Sequence, residues 1–228
     1  MRTLTYAEAQ QVYDRIGAGQ DSQAFYEDRA TDRLLAHADF GSAHAVFEFG
    51  FGTGRFAETL LRDHLPPDAT YRGVDLSPVM VELAAGRLAA YGERASVAQS
   101  HGGAPIRLEA ETAQSCDRFV ANFVLDLLSE PDVVAVLDEA GRILRPGGRL
   151  CVASLSPGHG PVSGAVIGLW SLLHRINPKL VGGCRPLSLP DFLPQASWRI
   201  LERDALSPFG LPLEAIVAQR RPEDDGLG

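Results

Sequence analysis

Cysteine is scarce in this sequence, and the arrangement of the few cysteines excludes a disulfide framework. Cys116, Cys151 and Cys184 are the only ones in 228 residues, they stand far apart, and no CxxC pair occurs. An odd number of scattered cysteines is typical of reduced thiols in a reducing compartment. The six histidines show no metal-ligand spacing, so no metal site is predicted.

Long apolar runs are missing as well. The most apolar stretch, residues 162–173, contains serine and glycine and is too short to span a bilayer. The N-terminus, MRTLTYAEAQ, has no hydrophobic region typical of a secretory signal. These features predict a cytoplasmic protein without stable membrane insertion.

Basic residues are outnumbered by acidic ones. There are 21 lysines and arginines against 29 aspartates and glutamates, for a formal net charge of −8. A negative surface repels a phosphate backbone, so nucleic acid is not the expected partner, and a small molecule is. The sequence does not predict an oligomeric state.

Apolar runs alternate with amphipathic segments through the middle of the chain. Five runs predict strands, at residues 45–49, 70–75, 95–100, 117–123 and 150–154. Residues 55–65 predict an amphipathic helix, and residues 145–148 predict a turn that ends a helix. This alternation predicts a Rossmann-like α/β fold, with a mostly parallel seven-stranded sheet and helices on both faces. Residues 199–205 and 214–219 supply the last two strands as a C-terminal β-hairpin at the sheet edge.

One domain is predicted over residues 1–221, followed by a flexible tail. The proline-rich part after the fifth strand breaks the alternation and is predicted to be a lid or a substrate-side insertion. The expected divisions are helices that cover the site (1–40), the core (45–154), the insertion (156–194), the edge hairpin (198–219) and the tail (222–228).

A glycine-rich turn joins the first strand to the next helix. Gly50, Gly52 and Gly54 allow the backbone to turn sharply and to approach a ligand closely. Asp75 ends the second strand about 20 residues later, and a carboxylate there can accept hydrogen bonds from both ribose hydroxyls of a nucleoside. Because the carboxyl ends of parallel strands share one edge, the two features predict a nucleoside cofactor site.

Two residues favour one nucleoside cofactor over another. Arg55 stands where the dinucleotide-binding pattern GxGxxG has its third glycine. Glu48, just before the turn, repels a pyrophosphate but tolerates the sulfonium and amino groups of S-adenosylmethionine (SAM). The turn therefore favours SAM over a nicotinamide dinucleotide.

Three segments, in order, resemble motifs of the class I SAM-dependent methyltransferases: residues 48–54, 73–80 and 137–148. The similarity covers residues 45–154. Tyr13-Asp14 and the helix that follows resemble the small-molecule branch that includes the ubiquinone and menaquinone methyltransferases. The resemblance implies methyl transfer from SAM to a small molecule.

The family pattern also implies which residues bind SAM. Residues of the glycine turn lie under the methionine moiety, those after the second strand hold the ribose and the adenine, and those ending the fourth strand lie beside the reactive methyl. After the third strand the family usually has an acidic residue facing the adenine amino group, where this sequence has Ser100 and His101. The implied set is Glu48, Gly50, Phe51, Gly52, Gly54, Asp75, Leu76, Met80, Ser100, His101, Asn122 and Phe123.

A catalytic base is needed only if the acceptor must lose a proton early. The first candidates are Asp126, just past the fourth strand, and His159, on a loop between two glycines. His101 and His174 are further candidates. The sequence favours a turn-capping role for Asp126, a solvated loop for His159 and an exposed helix surface for His174. The helix at residues 162–173, with Trp170, is expected either to cover an apolar or aromatic acceptor or to pack on the domain.

Two other functions stay open from the sequence. A nicotinamide-dependent oxidoreductase accounts for the glycines and Asp75, but not for Arg55 or Glu48. A non-catalytic SAM-binding protein accounts for Phe51 and for the missing adenine-side acid. Fold similarity does not decide among these, and the methylated atom is not predicted.

Overall fold

All the apolar runs predicted as strands belong to one seven-stranded sheet. The computed structural model describes residues 2–101, 108, 112–158 and 160–221. The strands are β1 (Ala45–Phe49), β2 (Thr70–Asp75), β3 (Ala95–Gln99), β4 (Cys116–Asn122), β5 (Leu144–Leu155), β6 (Trp198–Leu206) and β7 (Leu213–Arg220). Their order across the sheet is β3-β2-β1-β4-β5-β7-β6.

The direction of the strands makes the sheet mixed. Strands β1 to β5 pair in parallel, whereas β7 runs antiparallel to both β5 and β6. Only residues 207–212 connect β6 to β7, and strands joined by so short a loop pair as an antiparallel hairpin. The Rossmann-like α/β fold and its seven strands are confirmed, with one strand reversed.

Six helices accompany the sheet. They are α1 (Tyr6–Ile16), α2 (Ala24–His37), α3 (Arg55–Thr59), α4 (Pro78–Leu88), α5 (Glu130–Ile143) and α6 (Pro161–Ile176) among the described residues. The helix predicted over residues 55–65 continues beyond α3 as a single π turn, Leu60–His64. None of these helices is long and apolar enough to cross a membrane.

Successive side chains of each strand point to opposite faces of the sheet, and this produces two apolar layers. Phe47 and Phe119 point into one layer, which α5 covers, while their neighbours Val46 and Val120 point into the other, which α2 and α3 cover. Each large apolar side chain buried in this way stabilises the fold by roughly 1.5–3 kcal/mol. Helices therefore pack on both faces of the sheet, as the unbroken apolar runs predicted.

Two local predictions were wrong. Residues 145–148, predicted as a turn, lie inside β5, where the pairing with β4 jumps from Cys116 and Leu144 to Arg118 and Arg149. His174, predicted on an exposed helix surface, is 1% exposed, and its Nε2 lies 3.2 Å from the Gly183 carbonyl. The chain after α6 folds back over this ring, and burial lowers the pKa of His174.

The packing of α3 on α4 gives a testable prediction. Gly54 has φ +77°, and a Cβ at that position would lie 2.9 Å from the Cβ of Ala84. Gly54→Ala should therefore lower the free energy of unfolding by about 1–3 kcal/mol, measured by urea denaturation.

Gly86 supplies the matched control for this substitution. It lies within α4 and has open space around it, so Gly86→Ala should raise stability by about 0.5–1 kcal/mol. Similar changes of the same sign in both variants would contradict the close contact at Gly54.

Candidate active site

A cavity of about 1430 Å³ opens at the carboxyl ends of β1, β2 and β4. Pockets for one small ligand typically measure roughly 300–1,000 Å³, so this one has room for two molecules. The strand ends and the glycine turn form its floor, while residues 3–13 and α2 form its cover. Ligands bind at this edge in open α/β sheets, as the sequence predicted.

The glycine turn depends on the absence of side chains. Gly50, Gly52 and Gly54 have φ of 75°, 56° and 77°, in the left-handed region. A Cβ on Gly50 would lie 2.6 Å from the side chain of Val124. The turn therefore passes directly against the end of β4 and leaves its backbone beside the cavity.

Asp75 joins this turn to the next helix. Its Oδ2 accepts a hydrogen bond from the backbone N–H of Gly52, and its Oδ1 accepts one from Ser77, both at 2.9 Å. Burial raises the pKa of Asp75, while these N–H groups and that of Leu76 act against the rise. The carboxylate has about four lone-pair sites for these three N–H groups, so capacity for a ligand hydroxyl remains, and the side chain lines the cavity.

Glu48 is a buried carboxylate at the end of β1. It is 1% exposed, lines the cavity, and accepts a 2.7 Å hydrogen bond from the Tyr71 hydroxyl. Burial raises the pKa of Glu48 to about 7, partly opposed by Tyr71 and Asn122 and reinforced by the nearby charge of Asp75. Near neutral pH this group is poised to ionise when a cation approaches.

Polar atoms without partners mark the end of β4. Neither buried amide atom of Asn122 has a partner at normal hydrogen-bond geometry within the described ranges. Phe123 has φ +52°, and an aromatic residue in that region costs about 1–3 kcal/mol. Such groups persist at ligand sites, where a bound molecule completes the hydrogen bonding.

The cavity gathers most of the residues that the family pattern implied. Those lining it are Glu48, Gly50, Phe51, Gly52, Asp75, Leu76, Ser100, His101, Asn122 and Phe123. Two others do not line it. Gly54 packs against Ala84, and Met80 is fully buried, with its N–H bonded to the Ser77 hydroxyl.

Asp126, the first candidate base, lies apart from this lining. Asp126 is fully buried, and its Oδ2 accepts the N–H of Leu155 while its carbonyl accepts that of Arg185. It does not line the cavity, so its position favours the turn-holding role over catalysis. His159 lies outside the described residues, and His101 is exposed at the cavity rim.

The cover differs from the lid that the sequence suggested. No described residue between 156 and 194 lines the cavity, and the indole of Trp170 instead donates to the Cys184 carbonyl at 2.9 Å. The N-terminal segments supply the cover because ion pairs hold them down. Asp21 accepts hydrogen bonds from Thr53 and Arg87, so it attaches the segment before α2 to the glycine turn and to α4.

Sequence reasoning missed these contacts and two further lining residues, Gln20 and Glu27. The only available signal was a set of acidic residues, at positions 14, 21, 27 and 28, in otherwise amphipathic segments. Their charged or hydroxyl partners are 27 to 66 residues away along the chain, which no local pattern reveals. In the part of the chain that the structure describes, no three His, Cys, Asp or Glu side chains are arranged to hold a metal ion.

Known proteins match this chain in both sequence and fold. Residues 46–148 match the family model of a methyltransferase domain. Methyltransferase GfsG from Streptomyces halstedii is 31% identical over 128 residues, which are 56% of this chain and 44% of that protein. Malonyl-[acyl-carrier protein] O-methyltransferase from Marinomonas sp. (strain MWYL1) is 28% identical over 158 residues, 69% of this chain and 55% of that protein. The chain thus spans about half the length of these relatives.

Two solved structures share the fold over nearly the whole chain. The N-methyltransferase NodS from Bradyrhizobium japonicum WM9, in complex with S-adenosylhomocysteine (SAH), has a TM-score of 0.67 at 19% identity, over 94% of this chain and 99% of its own. The [4+2]-cyclase SpnF has a TM-score of 0.68 at 18% identity, over 97% and 98%. Identities this low show the fold alone.

Replacing Glu48 by glutamine tests its raised pKa. Between its ordinary value of 4.5 and about 7, the folded protein keeps a proton that the unfolded chain has lost. Glu48 therefore lowers the free energy of unfolding as pH rises through this window. The Glu48→Gln variant lacks this loss, so relative to the parent it should gain about 1–3 kcal/mol between pH 5 and pH 8.

Urea denaturation of both proteins at the two pH values measures this difference. Glu27 and Asp126, whose pKa values are also raised to about 7 by burial, titrate in both proteins and cancel in the comparison. An identical pH dependence of parent and variant would show that Glu48 ionises normally.

Proposed function

We propose that this chain is a class I SAM-dependent methyltransferase and that it transfers a methyl group from SAM to a small apolar or aromatic molecule. The match of residues 46–148 to a methyltransferase domain confirms the resemblance inferred from the sequence motifs, and SAM as the cofactor. The observation that carries the proposal is the pair of carboxylates on either side of the glycine turn, the buried Glu48 and the half-buried Asp75. A SAM site needs one acid for its cationic end and another for its ribose.

The residues at the cavity floor suit SAM. SAM supplies an electrophilic methyl group on a sulfonium. Glu48, once ionised, provides a negative charge for the amino end, and the free lone pairs of Asp75 accept ribose hydroxyls. Gly50 and Gly52 leave the space beside the turn free of side chains, and the amide of Asn122, which interacts with Glu48, has spare hydrogen-bonding capacity. Phosphates would meet these carboxylates unfavourably, which argues against a nicotinamide dinucleotide.

Apolar side chains support an apolar or aromatic acceptor. Under the N-terminal cover the cavity is lined by Leu4, Tyr6, Tyr13, Val124 and Leu128, beside Phe123. Holding donor and acceptor in an in-line geometry is most of what methyl transfer requires. Residues 1–40, as the cover, then exclude water from the reaction.

The relatives do not fix the acceptor. The Marinomonas enzyme is named for a malonyl group on a carrier protein, and this chain aligns with only 55% of it. Acidic side chains of the cover, Asp21, Glu27, Asp28 and Asp32, line this cavity and would repel a carboxylate acceptor. We therefore favour a neutral or cationic acceptor.

The first experiment compares melting temperatures of the protein alone and with SAM, SAH, NADH or NADPH. A ligand at a hundred times its Kd stabilises by about 2.7 kcal/mol, a rise of roughly 5–10 °C for this chain length. A rise with SAM and SAH alone supports the proposal. A rise with a nicotinamide alone overturns it, and binding of SAM without turnover of any acceptor would favour a non-catalytic protein.

Asp75 provides the sharpest variant for the cofactor site. Asp75→Asn keeps only one acceptor oxygen for Gly52, Ser77 and the ribose, so SAH affinity measured by calorimetry should fall at least about tenfold, or 1.4 kcal/mol. Asp68→Asn, an exposed acid away from the cavity, is the control and should bind SAH like the parent. Unchanged SAH affinity in Asp75→Asn would remove Asp75 from the site.

A further inference from the structure

A second polar group lies in the cavity, on the cover side and outside the implied cofactor set. Gln20 and Glu27 both line the cavity, Gln20 just before α2 and Glu27 within it. Glu27 is only 9% exposed although it carries an ionisable side chain. Burying a carboxylate is costly unless partners compensate it, so its contacts indicate what it is for.

The hydrogen bonding of this pair is incomplete. The Gln20 amide donates to Glu27 Oε1 at 3.4 Å, and Arg55 Nη2 lies 3.8 Å from Glu27 Oε2, because Arg55 is bonded more closely to Asp28. Charge-assisted hydrogen bonds are usually about 2.7–2.9 Å long, so both contacts are weak. Gln20 Oε1 is buried and has no partner among the residues that the structure describes. Glu27 therefore lines the cavity with unused capacity for a hydrogen-bond donor, and the unpaired oxygen of Gln20 belongs to the same polar group.

The position of Glu27 places this pair over the end of β4. The neighbouring Tyr26 contacts Phe123 edge-on, with ring centroids 6.2 Å apart. Phe123 directly follows Asn122, and both residues line the cavity. Glu48 and Asp75 therefore reach the cavity from the sheet, and Glu27 reaches it from the cover.

Charged and titratable groups around Glu27 keep it near its point of ionisation. Burial raises the pKa of Glu27 to about 7, Arg55 on α3 lowers it, and Asp126, Asp28 and Asp21 raise it further. Tyr13, Tyr26 and Cys184 also face it, from α1, from α2 and from the segment after α6. Their own pKa values are raised, mainly by burial, so they stay neutral near pH 7. Asp126 also has its pKa raised to about 7 but does not line the cavity, so Glu27 is the group among them that can exchange a proton with a molecule bound there.

We propose that Gln20 and Glu27 form the polar end of the acceptor site, where the Glu27 carboxylate accepts the hydrogen of a neutral hydroxyl or amine nucleophile. This inference rests on the proposed methyltransferase function and specifies its substrate class. The acceptor's oxygen or nitrogen bonds to the methyl carbon, and the bond from that carbon to sulfur breaks with its electron pair left on sulfur. The acceptor's proton goes to Glu27, so the sulfonium becomes a thioether and the carboxylate becomes an acid. A base that titrates near neutral pH suits this transfer.

Three small probes test this class without knowledge of the natural acceptor: phenol, aniline and benzoate. Each is titrated into the SAH-bound protein carrying ¹³C-labelled glutamate carboxyls, and the Glu27 signal is identified by its absence in Glu27→Gln. Phenol or aniline should shift this signal saturably. Their affinity should increase as pH rises through about 7, because ionised Glu27 is the better acceptor.

Benzoate should show the opposite trend, with affinity that falls over the same range as Glu27 gains its charge. Glu27→Gln should abolish both trends and leave the Kd of SAH within about twofold. Glu82→Gln, an exposed glutamate on α4 outside the cavity, is the matched control and should retain both trends. For a probe that is methylated, Glu27→Gln should lower kcat by about 10²–10⁴-fold.

The result that would overturn the assignment of Glu27 differs from the result that would overturn the proposed methyltransferase function. No Glu27 shift from phenol or aniline in the SAH-bound protein, or tighter binding of benzoate than of phenol above pH 7, overturns the assignment of Glu27. A tenfold or greater loss of SAH affinity in Glu27→Gln does so too, because it places Glu27 at the cofactor. Failure of the parent to bind SAH overturns the proposed function itself.

Discussion

The carboxylate of Asp75 is the interaction on which the site depends. It bonds at once to Gly52 in the glycine turn and to Ser77 at the start of α4, so the two loops that form the cavity floor share one anchor. A turn with three positive φ values has little rigidity of its own, because glycine restricts the backbone least. The anchor lets that flexible turn hold one shape against the end of β4.

Buried acidic residues line the cavity on two sides, from the sheet and from the N-terminal cover. Glu48, on the sheet, and Glu27, on the cover, are both buried and both ionise near pH 7. The charge of each therefore depends on the ligand that binds beside it. Asp21, in contrast, is paired with Arg87 and holds the cover in place. The net negative charge of the chain thus has a local counterpart in a cavity that favours cations and hydrogen-bond donors.

Burial explains where sequence-based prediction succeeded and where it did not. The glycine turn, Asp75 and the ends of the parallel strands are local features, and the rule that strand ends share an edge brings them together. Met80 and Asp126 stand at the right points in the motifs, yet Met80 points into the core and Asp126 bonds to Leu155, away from the cavity. Glu27 escaped prediction for the converse reason, because nothing local distinguishes it from a solvated helix acid.

Hydrophobic periodicity and turn chemistry act over a few residues, so the sequence by itself determined the strands, the glycine turn, the Rossmann-like fold and the choice of SAM over a dinucleotide. Which segment covers the cavity was decided only in three dimensions. Asp21 reaches Arg87 on α4, and the chain after α6 buries His174, both through contacts between distant parts of the chain. The acceptor side formed by Gln20 and Glu27 likewise exists only because α2 packs over the sheet, since long-range packing decides which side chains meet.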